Sequence, residues 1–211
     1  MRSIDRSTAT VPPCLAAYAH GRDRWGDLSP THKQEIRTSL EEMQGRRCAY
    51  CEGPLDSLGQ HIEHFRSRSD FVHLTFEWPN LYWCCDQSDS CGHYKDSGAD
   101  AYNPNDLIDP CKDDPSHFLR FRSDGTIDVR PGLSTRDDFR ARETLRVFNL
   151  HHEFGRLRNM RKAVASAYLE LVVELAAFDA NERSAYAELE IKATAAEPFS
   201  TVVRHMFEDV Q

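Results

Sequence analysis

Residues 46–66, RRCAYCEGPLDSLGQHIEHFR, and residues 78–96, WPNLYWCCDQSDSCGHYKD, carry the pattern from which the rest of the chain is read. Cys48-Ala49-Tyr50-Cys51 is a C-x-x-C pair, and Cys84, Cys85 and Cys91 follow some 33 residues later. Zinc takes four soft ligands in a tetrahedron, and a tight turn delivers two thiolates to one edge of it. Two such edges from distant segments would pin a hairpin to the helix that follows. The second edge is widened by the insert Asp86 to Ser90, and it needs just one of Cys84 and Cys85. Seven unevenly spaced cysteines do not make a secreted disulfide scaffold, and in a reducing compartment clustered thiols are better explained by metal. The competing reading is a set of buried or redox-active thiols. Cys14 and Cys111 stand outside the pattern.

Between the cysteine groups lie His61-Ile62-Glu63-His64-Phe65 and Trp78-Pro79-Asn80-Leu81, and Gly92-His93-Tyr94-Lys95 follows Cys91. Hydrolysis of a phosphodiester needs a base to deprotonate water and a cation to stabilise the leaving oxyanion. Adjacent strand residues point to opposite sides, so of an acid and a histidine side by side one can hold a hard cation while the other faces the attacking water. An Asn between the two groups can bond the loop backbone and fix the ring.

The order C-x-x-C, E-H-F, N-L-x-x-x-C, C-G-H-x-K resembles the HNH (ββα-metal) nuclease pattern. In that pattern the second cysteine group begins five residues after the central Asn, which from Asn80 is Cys85. The resemblance implies an α+β fold with a small ββα-metal, treble-clef-like core. Cys48, Cys51, Cys85 and Cys91 would hold a structural zinc. His64 would be the general base, Asn80 the loop-orienting residue, and Glu63 and His93 the ligands of a catalytic divalent cation, taken as Mg²⁺. Lys95 resembles the basic residue that closes the motif near phosphate, and Arg66 and Arg68 are further candidates for substrate binding. Three departures stand out: Glu63 where Asp is commoner, Ser67 where Pro is usual, and Gly92 where the helix ligand would directly follow the last cysteine. His61 is a rival ligand, since it shares a strand face with Glu63.

Further stretches extend the likeness over roughly residues 25–165. These are I-E-H-F-R-S-R-S, I-D-P-C-K-D-D-P-S-H-F-L-R-F, the D-G-T-I turn and R-A-R-E-T-L-R-V-F-N-L. Together they resemble the PtuB subfamily, the HNH effectors of Septu-type and some retron antiphage systems. Membership would imply a PtuA-like ATPase partner and a nucleic-acid substrate, DNA or RNA.

Outward from this core, Ser29 as cap, Pro30 in the first turn and Gly45 at the stop bound a helix with Ile36, Leu40 and Met43 on one face. The reading divides the chain into a helical lead-in over 1–45, a nuclease core over 46–100, and a hairpin-plus-helices region over 101–211. A short helix is expected around 88–97 and a connector over 100–116. A hairpin turning at Asp124-Gly125 should follow, then helices over 134–149, 151–178 and 182–196. The last of these regions is read as a partner-docking platform.

With 40% apolar and 28% charged residues the chain can bury a core and stay in solution. No run approaches the roughly 20 apolar residues of a membrane span, and the first residues lack a secretory pattern, so a cytoplasmic location without membrane contact is expected. The net charge of −8 hides an asymmetry: residues 130–162 hold nine Arg or Lys against four Asp or Glu, and residues 170–211 hold three against nine. Two other classes compete. His61-Ile62-Glu63 is the H-x-E of zinc deaminases, but those need P-C-x-x-C after it, and here the C-x-x-C comes first. A non-catalytic zinc-binding module for nucleic acid or protein would keep the same cysteines.

Overall fold

The computed structural model describes residues 1–152 and 155–208 as a mixture of helices and two small antiparallel sheets. The first long helix, α1 (Pro30–Gln44), begins where the Ser29 hydroxyl accepts from the His32 N–H at 3.1 Å. It ends where Gly45 takes the left-handed conformation (φ 62°). Its face of Ile36, Leu40 and Met43 is buried. Gln44, the final residue, is buried as well, and its side-chain amide bonds both the N–H (2.9 Å) and the carbonyl (2.8 Å) of Trp83. That amide pairs the Trp83 N–H on the outer edge of a strand, and the Trp83 carbonyl also accepts the Ala49 N–H at 3.0 Å.

The strand in question, β2 (Leu81–Cys84), pairs with β1 (His61–His64), with His61 opposite Cys84 and His64 opposite Leu81. A single turn, α2 (Leu55–Leu58), precedes β1, and α3 (Cys91–Ser97) follows β2. The cysteine turn closes through one bridge between Arg47 and Pro54. After a connector come α4 (Pro115–Phe118) and a second hairpin, β3 (Leu119–Phe121) with β4 (Ile127–Val129). Its turn requires glycine: Gly125 has φ 83°, and a side chain there would run into the Arg158 carbonyl. Buried Arg161 holds that turn, donating to the Gly125 carbonyl at 2.8 Å and the Leu150 carbonyl at 3.0 Å.

Helix α5 (Thr135–Val147) starts on the Ser134 cap and gives way at Asn149, which lies in the left-handed region (φ 47°). Its end meets α3, because the Cys91 N–H donates to the Phe148 carbonyl at 2.8 Å. One apolar cluster joins these parts, running from Met1 and Ile4 through the cysteine region to Val202 and Met206. Among the described residues no helix is long and apolar enough to cross a membrane.

Three expectations need correction. The single helix over 151–178 is two, α6 (Arg156–Ser166) and α7 (Leu169–Leu175), and residues 153 and 154 lie outside the described residues. The break at Ala167-Tyr168 is made by i→i−3 bonds that tighten the turn, while the Tyr168 ring packs edge-on against Phe207 at 6.1 Å. The helix expected over 182–196 is α8 (Ala180–Thr194). After it, α9 (Ser200–Glu208) is absent from the sequence reading, although Val202, Val203, Met206 and Phe207 recur at helical spacing and are buried. The opening residues of the lead-in form short 3₁₀ turns before α1 and pack into the core at Met1, Ile4, Cys14 and Leu15.

Helix α9 is tied to β3 by buried His205, whose Nδ1 accepts the Phe121 N–H at 3.0 Å. Burial, then Arg204 and Arg130, pushes this ring from 6.5 down to about 3. The unfolded chain takes up the proton near 6.5 and the folded one does not. Its stabilising contribution is therefore complete above pH 6.5 and declines as pH falls toward 3, by at most about 1.4 kcal/mol per pH unit. His205→Gln keeps an acceptor for Phe121 and cannot titrate. Its thermal midpoint should fall less than that of wild type between pH 6.5 and 4, whereas parallel curves would refute the assignment.

Candidate functional site

The thiols of Cys48, Cys51, Cys85 and Cys91 come together, buried, with their sulfurs within 4.8 Å of one another. Local backbone explains how each gets there. The Cys48 N–H donates to the Gly53 carbonyl (3.0 Å), the Glu52 N–H to the Cys48 carbonyl (3.0 Å), and Glu52 sits at φ 65°, so the turn folds back on itself. Cys85 leaves the end of β2, and Cys91 opens α3 in the left-handed region (φ 59°). None of these cysteines is in a disulfide. Burial pushes Cys91 well above its ordinary range, and the neighbouring thiols push the same way. Cys48 shifts the other way: burial would raise it, but hydrogen bonds from the neighbouring thiols hold it well below its ordinary range. Four thiolates crowded in a buried site would repel one another unless a cation compensates them. Four zinc–sulfur bonds of about 2.3 Å put tetrahedral sulfurs roughly 3.8 Å apart. The Cys51–Cys85 separation of 4.0 Å fits, so this group could hold a metal such as zinc. Cys84 lies beside it, 3.6 Å from the Cys48 sulfur, and its own sulfur accepts the Gly92 N–H at 3.3 Å.

The cysteine group starts α3 against the face of β1 that carries His61 and Glu63. Contact is so close that a Cβ on Gly92 would fall 2.6 Å from the Glu63 carboxyl carbon and 3.0 Å from His61 Nε2. Glycine at the position where the motif usually has its ligand therefore has a steric cause, and His93 one residue on reaches the site from the side. A second metal-competent group forms there from His61, Asp86 and His93. Asp86 Oδ1 stands 2.6 Å from His93 Nε2 and 3.7 Å from His61 Nδ1, and the two rings lie 4.2 Å apart. Asp86 is missing from the sequence reading because it sits in the insert between Cys85 and Cys91. Its signal is that an acid directly after β2 must emerge beside β1.

Glu63 is next to this group, with Oε2 3.2 Å from His61 Nε2. Its other oxygen meets the buried Lys95 ammonium at 3.0 Å. Burial alone would raise the Glu63 carboxyl, but Lys95 and His61 together hold it below the usual range. Lys95 also donates to the His64 carbonyl (3.1 Å) and pairs with Asp96, so its charge is directed inward.

His64 occupies the opposite side of β1 from His61 and Glu63. It is 5% exposed, packed edge-on against Trp25 at 4.4 Å, and Nε2 donates to the Thr75 carbonyl at 3.0 Å. That bond puts the proton on Nε2 and leaves the lone pair on Nδ1. Burial pushes the ring from 6.5 to about 4, so it stays neutral through ordinary pH. Asn80 holds both ends of the intervening loop: its oxygen accepts from the Arg66 N–H (2.8 Å), and its NH₂ donates to the carbonyls of Arg66 (3.1 Å) and Leu74 (3.2 Å). The Arg66 side chain bonds Asn105 at 2.7 Å and lies over Phe71, while Arg68 lies over Trp25.

The chain is similar to two curated proteins, both named "Septu protein PtuB". One, from Bacillus mycoides (strain KBAB4), is 23% identical over 144 residues, covering 56% of this chain and 47% of the relative. The other, from Bacillus thuringiensis, is 29% identical over 103 residues, covering 48% of this chain and 36% of the relative. The matched stretches thus span less than half the length of either relative. No protein-family model matches the chain.

Gly92→Ala tests the contact of α3 on β1. Overpacking of this kind costs on the order of 1–3 kcal/mol, and the displaced helix would carry His93 away from His61 and Asp86. Thermal melts should show the loss, and Mn²⁺ titration by calorimetry should weaken in step. A variant that melts and titrates like wild type would contradict the geometry.

Proposed function

We propose that the chain is a metal-dependent HNH endonuclease that hydrolyses phosphodiester bonds of nucleic acid. We propose further that it is the effector of a Septu- or retron-type antiphage system working with a PtuA-like ATPase. The observation that carries this reading is the convergence of His61, Asp86 and His93 beside Glu63, on a β1–β2–α3 unit framed by four buried cysteines. Likeness to the two PtuB proteins supports the system assignment.

The donor set is two imidazoles and one carboxylate, with Asp86 and His93 open to solvent; imidazole favours a borderline dication such as Zn²⁺ or Ni²⁺, and a hard divalent cation would be held mainly through the carboxylate and bound water. Such a cation, taken as Mg²⁺, would neutralise charge on the phosphate and on the departing 3′-oxygen when bound. The four cysteines would hold zinc with no open position, which makes that metal structural. His64 accepts the proton of the attacking water at Nδ1, since Nε2–H is committed to Thr75. The water oxygen forms the new bond to phosphorus as the bond to the 3′-oxygen breaks. Asn80 keeps the loop behind His64 in place. Glu63, held by Lys95, contributes negative charge beside His61 and supports that ring's orientation. Docking of the ATPase is assigned to the helices after residue 134, where Leu169, Val173 and Leu189 remain exposed.

A second reading, a non-catalytic zinc-binding module for nucleic acid or protein, has its own support: His64 is buried under Trp25, and Lys95 closes on Glu63. Cleavage of plasmid DNA and of RNA, with and without Mg²⁺ and with and without the ATPase, separates the two. Wild type should cut in a Mg²⁺-dependent manner. His64→Ala should lose roughly 10²–10⁴ in rate and, because the ring is buried against Trp25 and bonded to Thr75, should also melt at a lower temperature while still folding. Asp86→Asn should need more Mg²⁺ for the same rate. Full activity in His64→Ala would remove the base assignment, and no cleavage under any condition would favour the interaction module.

A further inference from the structure

The arginine-rich stretch of residues 130–162 has no part in the metal centre just described. In the fold it meets the β3–β4 hairpin. Alternation along that hairpin buries Leu119, Phe121 and Ile127 and turns Arg120, Arg122, Asp128 and Arg130 to the other face. Helix α5 brings Arg142 and Arg146, one turn apart, alongside. An open cavity of about 650 Å³ lies between them, lined by these five arginines and His151. Asp128 is the one acid among the described residues of its wall.

The acids that engage the other arginines stand off the wall. Asp138 and Glu143 grip Arg142 (2.7 Å) and Arg146 (2.6 Å) from within α5, and Glu208 meets Arg130 at 3.3 Å. Exposed pairs of this kind hold weakly and yield to a better anion. Arg122 meets Asp128 at 2.6 Å, and Arg120 is held below the ordinary arginine value first by burial and then by Arg130 and Arg122, with Glu208 and Asp128 pulling the other way. Guanidinium forks match phosphate oxygens two at a time. Ile127, Val129, Pro131 and Leu145 supply aliphatic surface between the arginines, and among the described residues of the wall five of eleven are arginine, a composition that favours an anionic partner.

We propose that this groove is a second site that binds the phosphate backbone of nucleic acid. Its purpose rests on the nuclease reading, because the Cys91–Phe148 bond joins the end of α5 to the start of α3 and so fixes the groove relative to His93. Binding itself needs no cleavage.

Fluorescence anisotropy on the full chain, in buffer without added divalent cation, tests this with labelled duplex DNA, its single strand and the matching RNA. Arg142→Gln with Arg146→Gln should weaken binding about tenfold or more. For the duplex, the slope of log K against log salt should shrink by about 1.8, the value for two phosphate contacts. Melting should not change, since both side chains are exposed, and Arg183→Gln on the acidic α8 should bind as wild type. Unchanged affinity and slope in the double variant would overturn the inference, as would competition by polyglutamate as strong as by DNA. A chain that binds through these arginines yet never cuts leaves the inference standing while the nuclease reading falls. One that cuts, with binding indifferent to the double variant, reverses that outcome.

Discussion

Four sulfurs drawn from two segments more than thirty residues apart impose the geometry on which the rest of the chain is arranged. Cys48 and Cys51 lie in a turn after α1, and Cys85 and Cys91 bracket the passage from β2 to α3. Four buried thiolates without a cation would repel one another and oppose folding. With a metal at their centre, the binding free energy, on the order of 10 kcal/mol in small modules, becomes folding free energy. The backbone accepts left-handed conformations at Glu52 and Cys91 to reach the cluster, which is the kind of local strain a strong clamp can maintain.

What the clamp achieves is the close laying of α3 across β1. Gly92 permits the contact, and buried Lys95 fastens it by bonding both the Glu63 carboxylate and the His64 carbonyl. A buried ion pair is weak evidence of net stability, but this one specifies register, since a slip of one residue in β1 would exchange Glu63 for a ring or an aliphatic chain. With Glu63 committed inward, the donors beside it are the half-buried His61 and the more open Asp86 and His93. The division of labour is between a buried carboxylate that orients and a solvent-facing set that can ligate.

Much of this could be read before folding, and the limits follow from range. Helix α1 and the start of α5 announce themselves through Ser29, Gly45 and Ser134, because caps act over three or four residues. The hairpin at Asp124-Gly125 is equally local. The choice of Cys85 in the four-thiol group agrees with spacing counted from Asn80. By contrast, the partner of Lys95 is thirty-two residues away on another element, and nothing in C-G-H-Y-K tells a phosphate-facing ammonium from one sealed against Glu63. Asp86 reads as spacer until β2 is paired with β1. At the break, Tyr168 packs against Phe207 in α9, a helix whose short apolar face gains meaning from the core it fills.

The central claim is that a metal bound by four thiolates sets this geometry, and X-ray absorption at the zinc edge of the purified chain addresses it directly. The account predicts one zinc per chain with four sulfur neighbours near about 2.3 Å and no nitrogen or oxygen in the first shell. A folded chain without zinc, or zinc bound through imidazole nitrogen in place of any of these sulfurs, would contradict it.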